Sequence, residues 1–183
     1  MLIRIIPVGN IQEKVLETLK SSLPDIFNAE VRLMNGFVLP PEAYNQWRKQ
    51  YDAEKIISII TKEKTAQFID KDIPTLLVTD KDMYYDGMNF VFGIEDLTKG
   101  CGIISVARLK PEYYKNMTNM SVLTERVVKE AVHEIGHHFG LEHCKHPFCV
   151  MCFSPSIEDV DNKQKYFCNG CKLKAATKGI NID

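Results

Sequence analysis

Apolar and polar positions change period repeatedly along the chain, and each period predicts an element. Leu2 to Val8 is an apolar, β-branched run, the pattern of a buried strand. Gly9-Asn10 makes a turn, and Asn10 is placed to cap a helix from Ile11 to about Ser22. Val15, Leu16 and Leu19 face the core of that helix, and Pro24 stops it. A second strand fits Ala29 to Met34, where Val31 and Leu33 alternate with charges, and Asn35-Gly36 turns the chain. Phe37 to Gln50 has no clean period; Pro40-Pro41 opens what reads as a short helix through Tyr44 and Trp47. Asp52 to Lys64 has helical spacing at Ile56, Ile59, Ile60 and Glu63. Thr75 to Thr79 is a third strand, buried and apolar on both sides, broken by Asp80-Lys81-Asp82. Asn89 to Gly93 reads as a short fourth strand and Gly100 to Leu109 as a fifth, closed by Pro111. Strands alternating with helices predict an α/β sheet with mostly parallel pairing.

A long helix follows, from Asn119 or Ser121 to Phe139, with Thr118 or Ser121 as cap and Glu125 complementing its dipole. At about 100° per residue, Val128, Val132, Ile135 and Phe139 form one apolar stripe. His133 and His137 fall on nearly the opposite side. A helix so patterned lies between a core and a cleft.

Size and charge narrow the class. A chain of 183 residues suits one compact domain. Residues 1–140 are expected to form a sheet-and-helix part, and residues 141–183 a small C-terminal part. The 23 basic and 24 acidic side chains give a net charge of −1, so no global field attracts nucleic acid or an anionic membrane. The longest apolar runs, Ile56 to Ile60 and Thr75 to Val78, fall far short of the roughly 20 residues that span a bilayer. The N-terminus lacks a signal peptide's basic and long apolar regions. A cytoplasmic protein without a propeptide is expected, with cysteines that bind metal rather than pair as disulfides.

The chemistry is concentrated between Glu130 and Cys171, which hold all five histidines and five of the six cysteines. His133-Glu134-x-x-His137 puts two imidazoles one helical turn apart on one face, so both reach one ion. Glu134 is displaced around the helix, clear of the ion but within reach of a water on it. Gly140 ends the helix and lets the chain double back with His143. Three protein ligands leave a fourth position open, the mark of a catalytic zinc. Zinc with a nearby carboxylate base is the machinery of amide hydrolysis. His138 points about 100° away from His137 and reads as a helix-flank residue. His146 reads as a loop residue.

A second donor set overlaps the first. Cys144-x4-Cys149 and Cys168-x2-Cys171 have the spacing of a closed, structural four-cysteine zinc site. Cys149-x2-Cys152 is also a zinc spacing, so spacing leaves Cys152 as a competitor. Cys101, inside a predicted strand, reads as a small buried hydrophobe.

His133-Glu134-x-x-His137-x-x-Gly140-x-x-His143, followed by Met151, resembles the metzincin clan of zinc peptidases, and the cysteine pairs narrow the resemblance to archaemetzincins. Asn89 to Gly93, the run ending Ala107-Arg108-Leu109 and the chain's size look similar to that family too. The resemblance implies a twisted five-stranded mixed sheet with one antiparallel edge strand, a backing helix and an active-site helix. It implies two zinc ions, a catalytic one on His133, His137 and His143 and a structural one on Cys144, Cys149, Cys168 and Cys171. Cys152 is then an extra thiol, and Met151 is the methionine of the turn beneath the metal. Substrate would pair in extended form with the edge strand, expected around Phe90, Val91 and Phe92. Phe153 stands where some clan members place a tyrosine ligand, so no such ligand is expected.

The leading expectation is a monomeric zinc-dependent peptidase acting on peptides or unfolded segments through Glu134. The alternative is a zinc protein that binds peptides or proteins with little hydrolysis. A nucleic-acid ribbon around Lys163, Lys165, Lys172, Lys174 and Lys178 is the weakest reading; those lysines are expected to be solvated and no nucleic-acid partner is expected. Because His143 and Cys144 are adjacent, the structural zinc is expected to anchor the loop that delivers the third histidine.

Overall fold

A computed structural model describes residues 1–63 and 66–183. The main sheet has five strands: β1 (Leu2–Val8), β2 (Glu30–Leu33), β5 (Thr75–Thr79), β7 (Gly93–Asp96) and β8 (Cys101–Ser105). They are ordered β2-β1-β5-β8-β7. The first four are mutually parallel, and β7 runs antiparallel to β8 at the edge. Short strands β3 (Tyr44–Asn45), β4 (Gln50–Asp52) and β6 (Met83–Tyr84) make a second, small sheet.

Alternate side chains of the central strands feed two cores, as their period of two requires. Ile3, Ile5, Leu76, Val78 and Ile104 pack under helices α1 (Glu13–Phe27) and α3 (Met120–His138). Ile6, Leu77, Cys101 and Ile103 pack on the other face under α2 (Ala53–Ile60). The result is a three-layer α/β sandwich with α1 backing the sheet and α3 beside it. The first core also takes in Val150, Met151, Val160, Phe167, Cys171 and Ile182, so the C-terminal segment is packed into it. Helices α4 (Ile157–Asn162) and α5 (Asn169–Ala176) complete that segment.

Several expected boundaries move, for physical reasons. Helix α1 starts at Glu13, behind an N-cap at Gln12 rather than Asn10, and Pro24 lies inside it. The last turn continues because Leu23, Ile26 and Phe27 are completely buried. Burying such side chains is worth about 1.5–3 kcal/mol each, which offsets the roughly 3 kcal/mol cost of an internal proline. Asn28 then takes the left-handed conformation that ends the helix. The stretch read as a short helix through Trp47 is a turn at Pro41–Ala43 followed by the β3–β4 hairpin, with Trp47 exposed at its tip. Asp52 caps α2, whose expected end at Lys64 lies outside the described residues. Strand β8 stops at Ser105, where a 3-10 turn at Ala107–Leu109 begins. Asn119, not Thr118 or Ser121, caps α3 by accepting from the Val122 amide at 3.2 Å.

The edge strand is the main correction. It lies at Gly93–Asp96, after the expected Asn89 to Gly93. Val91 and Phe92 are buried in the two cores, and Phe90 packs edge-on against Phe92 at 5.2 Å between ring centroids. Apolar side chains in a short run signalled a strand, but here they anchor the loop that leads into one. Phe90, Val91 and Phe92 therefore do not form the edge.

Candidate active site

Helix α3 carries His133 and His137 on one face with Glu134 displaced around the helix beside them, and its C-terminal end redirects the chain towards them. Gly140 has a φ of +69°. The Leu141 amide donates to the Gly136 carbonyl at 3.1 Å and the Gly140 amide to the His137 carbonyl at 2.7 Å. This paired closure is a Schellman motif. Lys178, reaching in from the C-terminal tail, donates to the carbonyls of Gly140 at 2.7 Å and Phe139 at 3.2 Å. The reversed chain then brings His143 beside the helix, its ring centroid 5.3 Å from that of His133 and 4.9 Å from that of His137.

The three imidazoles present ring nitrogens within 4.8 Å of one another. His133 Nδ1 faces the Val150 carbonyl and His137 Nδ1 the Leu141 carbonyl, each at 2.8 Å. A carbonyl only accepts, so both protons sit on Nδ1 and both Nε2 lone pairs are free. Those two Nε2 atoms stand 3.1 Å apart. Two facing lone pairs repel unless a cation lies between them, and about 3.3 Å is expected for two nitrogens roughly 2.05 Å from a tetrahedral zinc. The donor set fits zinc. Burial pushes His133 well below its ordinary pKa, with the Lys163 charge acting the same way. Burial also lowers His137 and His143. All three are thus held neutral, the form that ligates.

Met151 lies underneath, fully buried. A Cβ at Gly136 would overlap its sulfur, so the glycine between the two helical histidines lets the methionine turn close against the helix. Phe153 packs on His143 at 5.0 Å between ring centroids.

Glu134 is buried between α3 and the edge strand. A Cβ at Gly93 would overlap its carboxylate, so β7 passes in direct contact with it. Burial raises the Glu134 pKa well above its ordinary value, the charges of Glu130 and Glu95 add to this, and Lys163 opposes it. Lys163 is a correction: it is almost completely buried, with Nζ 2.8 Å from Glu130 Oε1, not a solvated tail residue. The pair is close yet misaligned for a hydrogen bond, so its attraction is between charges. Lys178 stays exposed, as expected of the tail, while its ammonium group donates to the carbonyls at the helix end. His138 is more than a helix-flank residue: its Nδ1 donates to Glu95 Oε1 at 2.9 Å, and both side chains are buried.

The second donor set is Cys144, Cys149, Cys168 and Cys171. Cys144 and Cys168 Sγ are 3.7 Å apart, as are Cys149 and Cys171 Sγ. The His146 amide donates to Cys144 Sγ at 3.4 Å and the Cys168 amide to Cys149 Sγ at 3.3 Å. Burial raises Cys171, and the neighbouring Cys149 sulfur raises it further; burial raises Cys149 too. Burial opposes ionisation of Cys168, but hydrogen bonds from Cys171 and the other thiols bring it to about 7. Four crowded thiols of this kind ionise together only around a cation, and four sulfurs close its coordination. Cys152 stays outside, its Sγ 3.8 Å from the Phe153 carbonyl. His146 Nδ1 accepts from the Phe148 amide at 3.3 Å within its loop. Cys101 is fully buried in β8, where desolvation raises its pKa.

Sequence reasoning missed Gly93, Glu95 and the Glu130–Lys163 pair. Spacing carries no signal for them, because each works through a partner distant in the chain.

An open three-histidine set and a closed four-cysteine set, beside a mixed sheet with one antiparallel edge, place the chain among the zinc metallopeptidases with one catalytic and one structural site. Residues 9–176 match the model of peptidase family M54. An archaemetzincin of Methanocaldococcus jannaschii is 39% identical, the match covering 100% of this chain and 97% of the relative. The crystal structure of an archaemetzincin from Archaeoglobus fulgidus complexed with malonate is 41% identical, with a TM-score of 0.80 over 95% of this chain and 99% of that one. A zinc-dependent peptidase from Methanocorpusculum labreanum has a TM-score of 0.83 at 29% identity, over 94% and 99% of the two chains. The chain belongs to peptidase family M54, and hydrolyses peptides as a zinc metallopeptidase.

Proposed function

We propose that Glu134 is the general base of peptide hydrolysis and that His133, His137 and His143 hold the catalytic zinc. Cys144, Cys149, Cys168 and Cys171 hold the structural one, and Met151 supports the first site from below. The observation that carries this reading is the placement of Glu134. It follows the first zinc-facing histidine, and its carboxylate abuts the strand to which an extended substrate can pair. When bound, the zinc supplies Lewis acidity and brings water near neutral pKa. Glu134 takes the proton of the attacking water and delivers it to the leaving amine. Burial and the neighbouring carboxylates raise its pKa, which makes it a stronger base towards the attacking water. The free edge of β7, from Gly93 to Asp96, offers backbone groups to the substrate.

Substrates are extended peptides or unfolded segments. Both donor sets are complete within one chain, which supports a monomer. None of the six cysteines is paired in a disulfide, which suits a cytoplasmic setting. Among the described residues no helix is long and apolar enough to cross a membrane. One of the five lysines weighed for nucleic acid, Lys163, is buried and paired with Glu130, which favours a protein without that partner. Residues 141–183 act as a small part that completes both sites, packed on the sheet-and-helix part of residues 1–140.

The test is a peptide-library screen of the zinc-loaded protein, the chelated protein and the chelated protein with zinc restored. Cleavage should be lost and regained. Cleavage that survives chelation, or is absent throughout, would overturn the reading.

A further inference from the structure

Two residues of the edge strand meet two residues of the active-site helix. Gly93 abuts Glu134, and Glu95 accepts from His138. Residues 93 and 95 share one face of β7, about 6.6 Å apart at a strand's rise. Residues 134 and 138 share one face of α3, about 6 Å apart at a helix's rise. The two spacings match, so strand and helix run side by side with two points of docking.

The second point is built on both sides. The Glu95 and His138 side chains are 3% and 6% exposed. Opposite Glu95 in the antiparallel register is Gly102, where a Cβ would overlap the Glu95 carboxylate. Two glycines on neighbouring strands therefore clear the sheet face, and two glutamates fill it. A buried carboxylate is costly unless it is hydrogen-bonded, and His138 provides that bond across the strand–helix junction. Edge strands lack a neighbour on one side, so β7 has less to hold it than any inner strand.

We propose that Glu95 and His138 form a buried clasp that holds the edge strand in register against the active-site helix, making both of them positioning residues for peptide binding. This rests on the reading that substrate pairs with β7 and is cleaved beside Glu134. The clasp fixes how far that strand stands from Glu134. Without it, the strand's amides open more often, and an extended peptide loses the aligned edge on which it pairs. Small substrates that span only the scissile bond do not use that edge and are spared.

The experiment compares wild type, Glu95→Ala, His138→Ala and Glu95→Gln, each checked for zinc content and cooperative unfolding. Hydrogen exchange is followed at the amides of 94 and 96. Hydrolysis is measured on a peptide of about ten residues, enough to lie along a strand, and on a capped dipeptide. Both alanine variants should exchange faster at the amides of 94 and 96, which face β8, by at least tenfold. They should raise KM for the long peptide by about tenfold and change kcat less, with the dipeptide little affected. Glu95→Gln keeps an acceptor for Nδ1–H and should recover most of both effects, and it serves in place of any alanine variant that fails to fold. Unchanged exchange at 94 and 96 in the alanine variants would overturn the clasp. So would a loss of kcat alone, or, if neither alanine variant folds, a Glu95→Gln protein with wild-type exchange and an altered KM. If wild type cleaves neither peptide, the peptidase reading fails, while the exchange measurement still decides on the clasp.

Discussion

Lys163 Nζ stands 2.8 Å from Glu130 Oε1, and the two side chains are 1% and 4% exposed. Glu130 lies one helical turn before Glu134, and Lys163 follows α4 in the C-terminal segment. The pair thus joins that segment to the helix bearing the metal-facing histidines. Breaking a buried pair by removing one partner leaves an uncompensated charge, at a cost of about 3–5 kcal/mol. Lys163→Met should destabilise the protein by that amount in urea unfolding, and adding Glu130→Leu should restore much of it. A cost below about 1 kcal/mol, typical of exposed pairs, would show that the pair is not shut off from water.

Gly93 sets the closest approach of the edge strand to Glu134. In Gly93→Ala the new methyl group meets a carboxylate that has no free space, so Glu134 must move. Misplacing a catalytic group by about 1 Å can cost roughly 10²-fold. The variant should keep both zinc ions and lose activity on that scale. Wild-type kcat/KM in Gly93→Ala would mean that Glu134 tolerates displacement or plays another part.

Cys144 follows His143 directly, and its amide donates to the Met151 carbonyl at 2.8 Å. If the four-cysteine site fixes Cys144, it also steadies the third histidine and the methionine turn. Cys168→Ser or Cys171→Ser should weaken zinc binding at the histidines by about 10–100-fold, the usual effect of losing an outer support. Competition against a chelating dye measures this. Unchanged affinity would show that the two sites are independent.

The protein holds His133, His137 and His143 below their ordinary pKa, chiefly by burial. Protons compete with zinc for an imidazole only below its pKa. Zinc affinity at this site should accordingly be flat from pH 8 to about 6.5, the ordinary histidine value, and fall as pH drops through the lowered values. A tenfold loss between pH 8 and 6.5 would contradict these shifts.

The legibility of the sequence depends on the range of the interactions. His133, His137 and Gly140 could be read because helical period and helix termination are local. The choice between Cys152 and Cys144 could not, because only packing decides which sulfurs converge. Phe90 to Phe92 looked like a strand because it is apolar, but its side chains go into the cores. The edge strand, Gly93-Ile94-Glu95-Asp96, shares only Gly93 with the expected one, because the charged Glu95 and Asp96 carry no apolar strand signal. Glu95 belongs in a sheet only because His138, 43 positions later, receives it. Lys163 looked solvated for the same reason: its carboxylate partner is 33 positions away.

The central claim is that Glu134 moves the proton in a zinc peptidase. The direct measurement is peptide hydrolysis by wild type and Glu134→Ala, both shown to carry two zinc ions per chain. Loss of a general base costs about 10²–10⁴-fold, so Glu134→Ala should cleave at least a hundredfold more slowly with its zinc unchanged. Equal cleavage by the two fully loaded proteins would contradict the assignment.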